Sequence, residues 1–241
     1  MGRASALLFA ERGARVVIGD IEAVGGEATA ARIQAQGGEA LFVGCDVAVP
    51  RDSELLVTAA TRAYGRIDIV HGNAGILRGG ASIEAASVDE WQRTLDVNLS
   101  GQFYLAKAVH PILKARGAVV FTASRRSFLH HATALAYAAS KFGLLSLTRG
   151  LAELWKEEKI RVNCVCPAAV GTSLIRYRTG QDIPVGPNTL DPAEVAALVY
   201  ELATDEESNG KAVYIERRAG KPTYALVGES AVTPLEIPAL R

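Results

Sequence analysis

Tyr137 and Lys141 lie four residues apart in a stretch with helical patterning, so they share one helix face, one turn apart. A tyrosine can act as a general acid or base only if its hydroxyl titrates well below its ordinary value of about 10. A drop of roughly 2–3 units takes about 3–4 kcal/mol, and an exposed i,i+4 pair supplies only about 0.2–0.5 kcal/mol. The pair must therefore be partly buried, and a second positive charge nearby would help. Ser124 lies 13 residues before Tyr137, directly after an apolar run. Such a Tyr–Lys pair suits general acid/base proton transfer.

The elements that must position these residues alternate along the chain. Short runs, β-branched and apolar at most positions, fall at 14–19, 40–45, 67–72, 118–122, 161–166 and 212–216. They read as strands covered on both faces. Helical patterns lie between them at about 22–35, 50–63, 88–115, 136–157 and 191–203. Asp191-Pro192-Ala193-Glu194 is a helix start, with an acidic cap, proline at the first position and an early glutamate. The alternation predicts an α/β fold: one domain with a doubly wound, Rossmann-like parallel sheet and helices on both faces. The chain opens differently from such a fold. Residues 3–12 read as a helix ended by Gly13, with no strand and no full glycine-rich turn ahead of it.

Composition narrows the function classes. Lys+Arg and Asp+Glu are both 26 in 241 residues, so the formal net charge is zero. That balance argues against nucleic acid or an anionic membrane as the main partner. No apolar run reaches the roughly 18 residues of a membrane span, and no signal-peptide or myristoylation pattern is present. Cys45, Cys164 and Cys166 lack zinc-ligand spacing. They read as buried reduced thiols of a cytoplasmic protein, with 164 and 166 on one strand face, and no metal site is expected.

Further residues stand in order around the Ser124, Tyr137 and Lys141 set. Asp20 ends the first strand, Asp46-Val47 follows the next, and Asn73-Ala74-Gly75 follows 67–72. Asn98 lies in Asp96-Val-Asn-Leu-Ser100, and Arg161-Val-Asn-Cys-Val-Cys-Pro167 leads to Val170 and Thr172. This ordered set resembles the short-chain dehydrogenase/reductase family, over residues 1 to about 216. The resemblance implies that Tyr137 is the acid/base and that Lys141 lowers its pKa and binds the nicotinamide ribose. It implies that Ser124 polarises the substrate oxygen and that Asn98 holds a water linking Lys141 to solvent. Gly2, Asp46, Val47, Asn73, Ala74 and Gly75 would line the adenosine and phosphate side of the cofactor. Pro167, Val170 and Thr172 would line the nicotinamide side. Asp20, 18 residues after Gly2, stands where a carboxylate bonds the ribose hydroxyls of NAD and repels a 2′-phosphate. The expected activity is NAD-dependent interconversion of a secondary alcohol and a ketone, by a homodimer or homotetramer paired through helices 88–115 and 136–157. The rival reading is a non-catalytic dinucleotide-binding or scaffold protein.

The sequence departs from the family pattern in four places. Met1-Gly2 matches only the end of the glycine-rich turn, Ala168 replaces glycine, Gly72 replaces asparagine, and Glu-Arg-Arg-Ala-Gly follows Ile215. The first departure implies that the central strand is absent from this chain, leaving a gap near 10 Å between two strands. Two expectations follow: that a functional chain starts upstream of Met1, or that a tail segment such as Tyr224–Val227 fills the slot. Segment 172–190 reads as a substrate lid, and 217–241 as a tail over the pocket or a subunit face. Arg125 and Arg126 follow Ser124 and would suit an anionic substrate; the bland alternative is a solvated loop or subunit contact. His130 and His131 share that loop. His71 reads as a core residue, and Trp91 and Trp155 as packing or interface residues.

Overall fold

The computed structural model describes residues 1–78, 82–129, 133–175, 181, 184–228 and 232–235. Helix α1 (Gly2–Glu11) leads to strand β1 (Val16–Asp20), helix α2 (Ala23–Ala35), strand β2 (Ala40–Gly44), helix α3 (Pro50–Tyr64) and strand β3 (Ile67–Gly72). Helices α4 (Val88–Leu95) and α5 (Gly101–Val109) are joined by a π-helical turn, Asp96–Ser100. Strand β4 (Leu113–Thr122), helix α6 (Leu135–Leu154), strand β5 (Arg161–Pro167), helix α7 (Pro192–Thr204) and strand β6 (Ala212–Arg218) follow. Strands β7 (Lys221–Val227) and β8 (Val232–Leu235) end the described chain.

Strands β3, β4, β5 and β6 pair in parallel in that order, which matches the doubly wound reading. Alternation along β4 sends Val119 and Phe121 into a core with Val109, Leu144 and Leu151 from α5 and α6. Ala118 and Val120 point the other way, towards Phe9 of α1 and Leu198 and Leu202 of α7. Helix α7 starts as expected: Asp191 Oδ1 accepts from Ala193 N at 2.8 Å, and Glu194 Oε2 accepts from Asp191 N at 2.8 Å. At its other end the buried Arg161 donates to the carbonyls of Ala203 (2.8 Å) and Asp205 (2.7 Å).

Strands β1 and β2 form a separate two-stranded parallel sheet. The β1 edge turned away from β2 and the β3 edge turned away from β4 face the same cavity. Among the described residues no strand lies between β1 and β3. Packing on the faces holds the two sheets in place. Helix α1 lays Phe9 against Tyr200 of α7, ring centroids 5.3 Å apart, while Ala6, Leu7 and Ala10 pack over Ile18 and Ile33.

Two expectations are corrected. The helical pattern 88–115 ends at Val109, because Pro111 follows and the β-rich run from Leu113 joins the sheet. The tail segment Tyr224–Val227 does not fill the slot. It lies in β7, antiparallel to β6 at the opposite edge. The Glu-Arg-Arg-Ala-Gly departure explains this, since Ala219 (φ 48°) and Gly220 (φ 81°) close a two-residue hairpin between Arg218 and Lys221. The sheet therefore carries two antiparallel strands, β7 and β8, beyond its parallel part. His71, on β3 with Nε2 2.8 Å from Thr122 Oγ1, is pulled down to about 3 by burial, in keeping with a packed position, and also borders the slot. Trp155 is buried and Trp91 is exposed. Among the described residues no helix is long and apolar enough to cross a membrane.

Candidate active site

Parallel strands present their C-terminal ends to one edge of the sheet, and loops leaving that edge carry ligand sites. Asp20 ends β1, Asp46 and Val47 follow β2, Asn73 to Ile76 follow β3, Ser124 follows β4, and Pro167 to Thr172 lead out of β5. All of these residues except Gly171, with Gly2, Tyr137 and Lys141, line one cavity of about 1260 Å³. That cavity is continuous with the slot between β1 and β3.

Tyr137 and Lys141 sit on one face of α6, as their spacing predicts. The Lys141 ammonium lies 5.7 Å from the Tyr137 ring centroid and donates to the Thr122 carbonyl at 2.7 Å. Tyr137 is buried against Leu77, Ala134 and Leu174 and shares a hydrogen bond with the Ser124 side chain. Ser124 is set by its own turn: its Oγ accepts from Arg126 N at 3.2 Å, and Ser127 Oγ accepts from Ser124 N at 3.2 Å. Ser124, Tyr137 and Lys141 thus come together.

Asn98 takes a different position. It is fully buried and lies behind the cavity wall, at the π-helical turn. Its Oδ1 accepts from Ile76 N at 2.7 Å, and its Nδ2 donates to Ile76 O at 2.9 Å and to Ser140 Oγ at 3.1 Å. Ser140 Oγ in turn donates to Tyr137 O at 2.8 Å. Asn98 therefore ties the Asn73–Ile76 loop to the helix that carries Tyr137. A β-carbon on Gly75 would meet Asn98 Oδ1 at 3.3 Å and Lys141 Nζ at 3.4 Å, so this loop lies close against both.

The acidic positions differ in freedom. Asp46 is committed to Arg93 (2.8 Å) and to Ala48 N (3.0 Å); burial pushes its carboxyl up, and the Arg93 hydrogen bond, the Ala48 N–H and the Arg93 charge together outweigh this and hold it below the ordinary value. Asp20 is exposed and accepts from Glu22 N at 3.0 Å, an Asx-type turn that aims the carboxylate across the β1 end. The Gly72 departure has a steric reason: a β-carbon there would meet Gln102 Oε1 at 2.3 Å and Phe121 Cδ1 at 2.5 Å. Gln102 occupies that space and donates to Ala74 O at 3.1 Å. Gln102, Thr122, Ser140 and Arg93 are site-building residues that sequence reasoning missed. Their roles depend on which carbonyl or carboxylate the fold brings to them, and no local pattern marks that. His130 and His131 lie outside the described residues, as do 176–180 and 182–183 of the expected lid.

Protonation states depart from the simple i,i+4 picture. Burial pushes the Tyr137 hydroxyl above its ordinary value, and the Ser124 hydrogen bond and the Arg126 charge oppose this without overcoming it. Burial pulls the Lys141 ammonium down to about 8, against the Cys166 and Cys164 sulfurs. Between about pH 8 and the ordinary 10.5 the unfolded chain therefore holds a proton at this position that the native chain has released. Stability from this group rises with pH across that window, and the burial penalty is present in full below it. In denaturant titrations from about pH 8 to about pH 10, the wild type should gain on Lys141→Met. A constant difference between the two across the window would show that Lys141 titrates normally.

The residues lining the cavity fit a nicotinamide dinucleotide. Tyr137, Lys141, Asn73, Asp20 and Asp46 all line it, with Gly2 at the start of α1 packed against the Asn73 side chain. Such a site at the C-terminal edge of a doubly wound sheet defines a dinucleotide-binding α/β protein. The comparisons narrow the class. Residues 1–216 match the family model described as enoyl-(acyl carrier protein) reductase. The chain is 36% identical over 218 residues to a trans-4-hydroxycyclohexanecarboxylate dehydrogenase of Sinomonas cyclohexanicum, covering 86% of this chain and 83% of that one. The crystal structure of levodione reductase superposes with a TM-score of 0.81 at 31% identity, covering 89% of this chain and 91% of that one. A short-chain dehydrogenase from Burkholderia cenocepacia J2315 in complex with NADP gives 0.79 at 30% identity, covering 90% and 92%. This protein belongs to the short-chain dehydrogenase/reductase family.

Proposed function

We propose that the protein is an NAD-dependent oxidoreductase that interconverts a secondary alcohol and a ketone, with Tyr137 as acid/base. One observation carries this reading: Ser124, Tyr137 and Lys141 meet on the wall of the cavity that also holds Asp20 and the strand-end loops. When bound, the nicotinamide supplies the acceptor or donor of the hydride. The protein's own residues handle the oxygen. Ser124 hydrogen-bonds it, and Tyr137 takes the hydroxyl proton during oxidation or returns one during reduction. Lys141 supplies positive charge beside the phenol and a route by which its proton is exchanged. Asn98 keeps the Asn73–Ile76 loop and α6 in register.

Relatives support the substrate class, since the Sinomonas enzyme is by name a dehydrogenase of a hydroxycyclohexane acid. The NAD assignment rests on Asp20, whose exposed carboxylate would accept from ribose hydroxyls and repel a 2′-phosphate. The test measures the absorbance of reduced nicotinamide over a panel of secondary alcohols, with NAD and with NADP. Turnover with NAD is expected. Asp20→Ser should lower the ratio of kcat/KM for NAD over NADP by about tenfold to a hundredfold, since it removes a charged hydrogen-bond partner and a repulsive charge. A wild type that uses NADP as well as NAD would overturn the assignment. Subunit pairing through α4, α5 and α6 is part of the same proposal, and Trp91, Phe103 and Leu154 are exposed on these helices.

A further inference from the structure

The run Glu216-Arg217-Arg218-Ala219-Gly220, where the sequence leaves the family pattern, closes the β6–β7 hairpin. Side chains alternate across the sheet there. Arg218 is exposed and pairs with Glu216 on its own face. Arg217 points to the other face. One of its terminal nitrogens donates to Gly220 O at 3.1 Å, and the other lies 3.6 Å from Glu194 Oε2. Its Nε is buried and bonds nothing among the described residues, so the fork is committed through its two ends. The Arg217 and Glu194 side chains are only 23% and 19% exposed, so solvent screens this pair less than a surface pair.

Both contacts lead to the segment just before α7. Glu194 Oε2 also accepts from Asp191 N at 2.8 Å, and Gly220 N donates to Pro187 O at 3.1 Å. Leu190, between these two anchors in sequence, is fully buried. Its N donates to Ala169 O at 2.9 Å, and its O accepts from Gly171 N at 2.9 Å. Val170 is thereby held in a parallel bridge with Leu190. The start of the same loop is held by β6 itself, with Ala168 N donating to Ile215 O at 2.8 Å. Val170, Thr172 and Leu174 line the cavity, and Leu174 packs in the cluster that holds Tyr137. A loop fixed at its start can still swing at its far end. A second anchor removes that freedom before a ligand arrives, so the cost of ordering the loop is not charged to binding.

We propose that Arg217 is a positioning residue for the cavity wall at 170–174. Through Gly220 and Glu194 it fixes 187–191, and Leu190 then fixes the loop. The proposal deepens the oxidoreductase reading and rests on Val170 and Thr172 facing the nicotinamide.

Two measurements on the full chain test it, and neither needs turnover. In the free protein, the amide proton resonances of Gly171 and Leu190 report the length of their hydrogen bonds by NMR. Arg217→Ala should move both upfield, and Arg218→Gln should move neither. Calorimetry then compares NAD with AMP, which carries the adenosine end and no nicotinamide. Arg217→Ala should weaken NAD by about threefold to tenfold, the range of one hydrogen bond, and leave AMP within about twofold. Unmoved Gly171 and Leu190 resonances, unchanged NAD affinity, or equal weakening of NAD and AMP would overturn the proposal. Arg217→Lys keeps a charge for Glu194 but cannot serve both partners, so it should weaken NAD by roughly twofold to threefold. If Arg217→Ala does not fold, wild-type behaviour of Arg217→Lys in both measurements overturns the proposal. Moved resonances in a protein whose wild type binds no NAD would uphold Arg217 as the anchor of the loop and refute the oxidoreductase reading.

Discussion

Replacing Tyr137 by phenylalanine is expected to reduce turnover by about a thousandfold or more, the range of a lost general acid/base. Dinucleotide affinity should stay within about threefold. The substitution removes one oxygen and keeps the ring. The ring supplies the packing with Leu77, Ala134 and Leu174, and Lys141 keeps its position over the ring through Thr122 O. Ser124 Oγ still accepts from Arg126 N, so its hydroxyl stays anchored when the tyrosine hydroxyl is gone. The loss should therefore appear in kcat, with little change in melting temperature. Activity measurements paired with calorimetric cofactor titration check this. A variant that keeps a tenth of wild-type turnover would remove Tyr137 from the proton path. Loss of binding together with turnover would mean that the hydroxyl holds the cofactor rather than moving a proton.

The second large effect concerns the slot. Fusing a strand of about five to seven apolar residues ahead of Met1 is expected to raise the melting temperature by about 10–20 °C. The facing edges are five and six residues long, and among the described residues no strand lies between their outward N–H and C=O groups. Pairing both edges would form several backbone hydrogen bonds, each worth about 0.5–1.5 kcal/mol net, and would bury apolar surface on both sides. A total near 5 kcal/mol corresponds to that rise, at roughly 2–4 °C per kcal/mol for a chain of this size. The direction of entry is favourable. The Met1 ammonium acts on His71 near the C-terminal end of β3, so a strand ending at Met1 would run parallel to β1 and β3. Ser5 Oγ and Ser53 Oγ, both buried on the cavity wall without partners, lie on the two flanking helices. Thermal denaturation followed by circular dichroism checks the prediction. The same fusion with proline at alternate positions cannot donate to the ladder and should give no gain. If both fusions leave the melting temperature unchanged, the gap does not accept a strand.

Much of this protein is determined locally. Element type follows from period and capping, so β5 and α7 were legible from Arg161–Pro167 and from the Asp191-Pro192-Ala193-Glu194 start. Tyr137 and Lys141 were legible as a pair because four residues make about one helical turn, whatever else the chain does. Tertiary structure alone decided the rest. It carried 224–227 to the far edge, because a hairpin turn next to β6 costs far less chain entropy than a return across the sheet. It placed Asn98 behind the wall, tied to Ile76 and Ser140 across 22 and 42 residues of sequence. It also reversed the expected titration of Tyr137, because burial in a packed interior outweighs a neighbouring charge, and burial is a property of the whole fold.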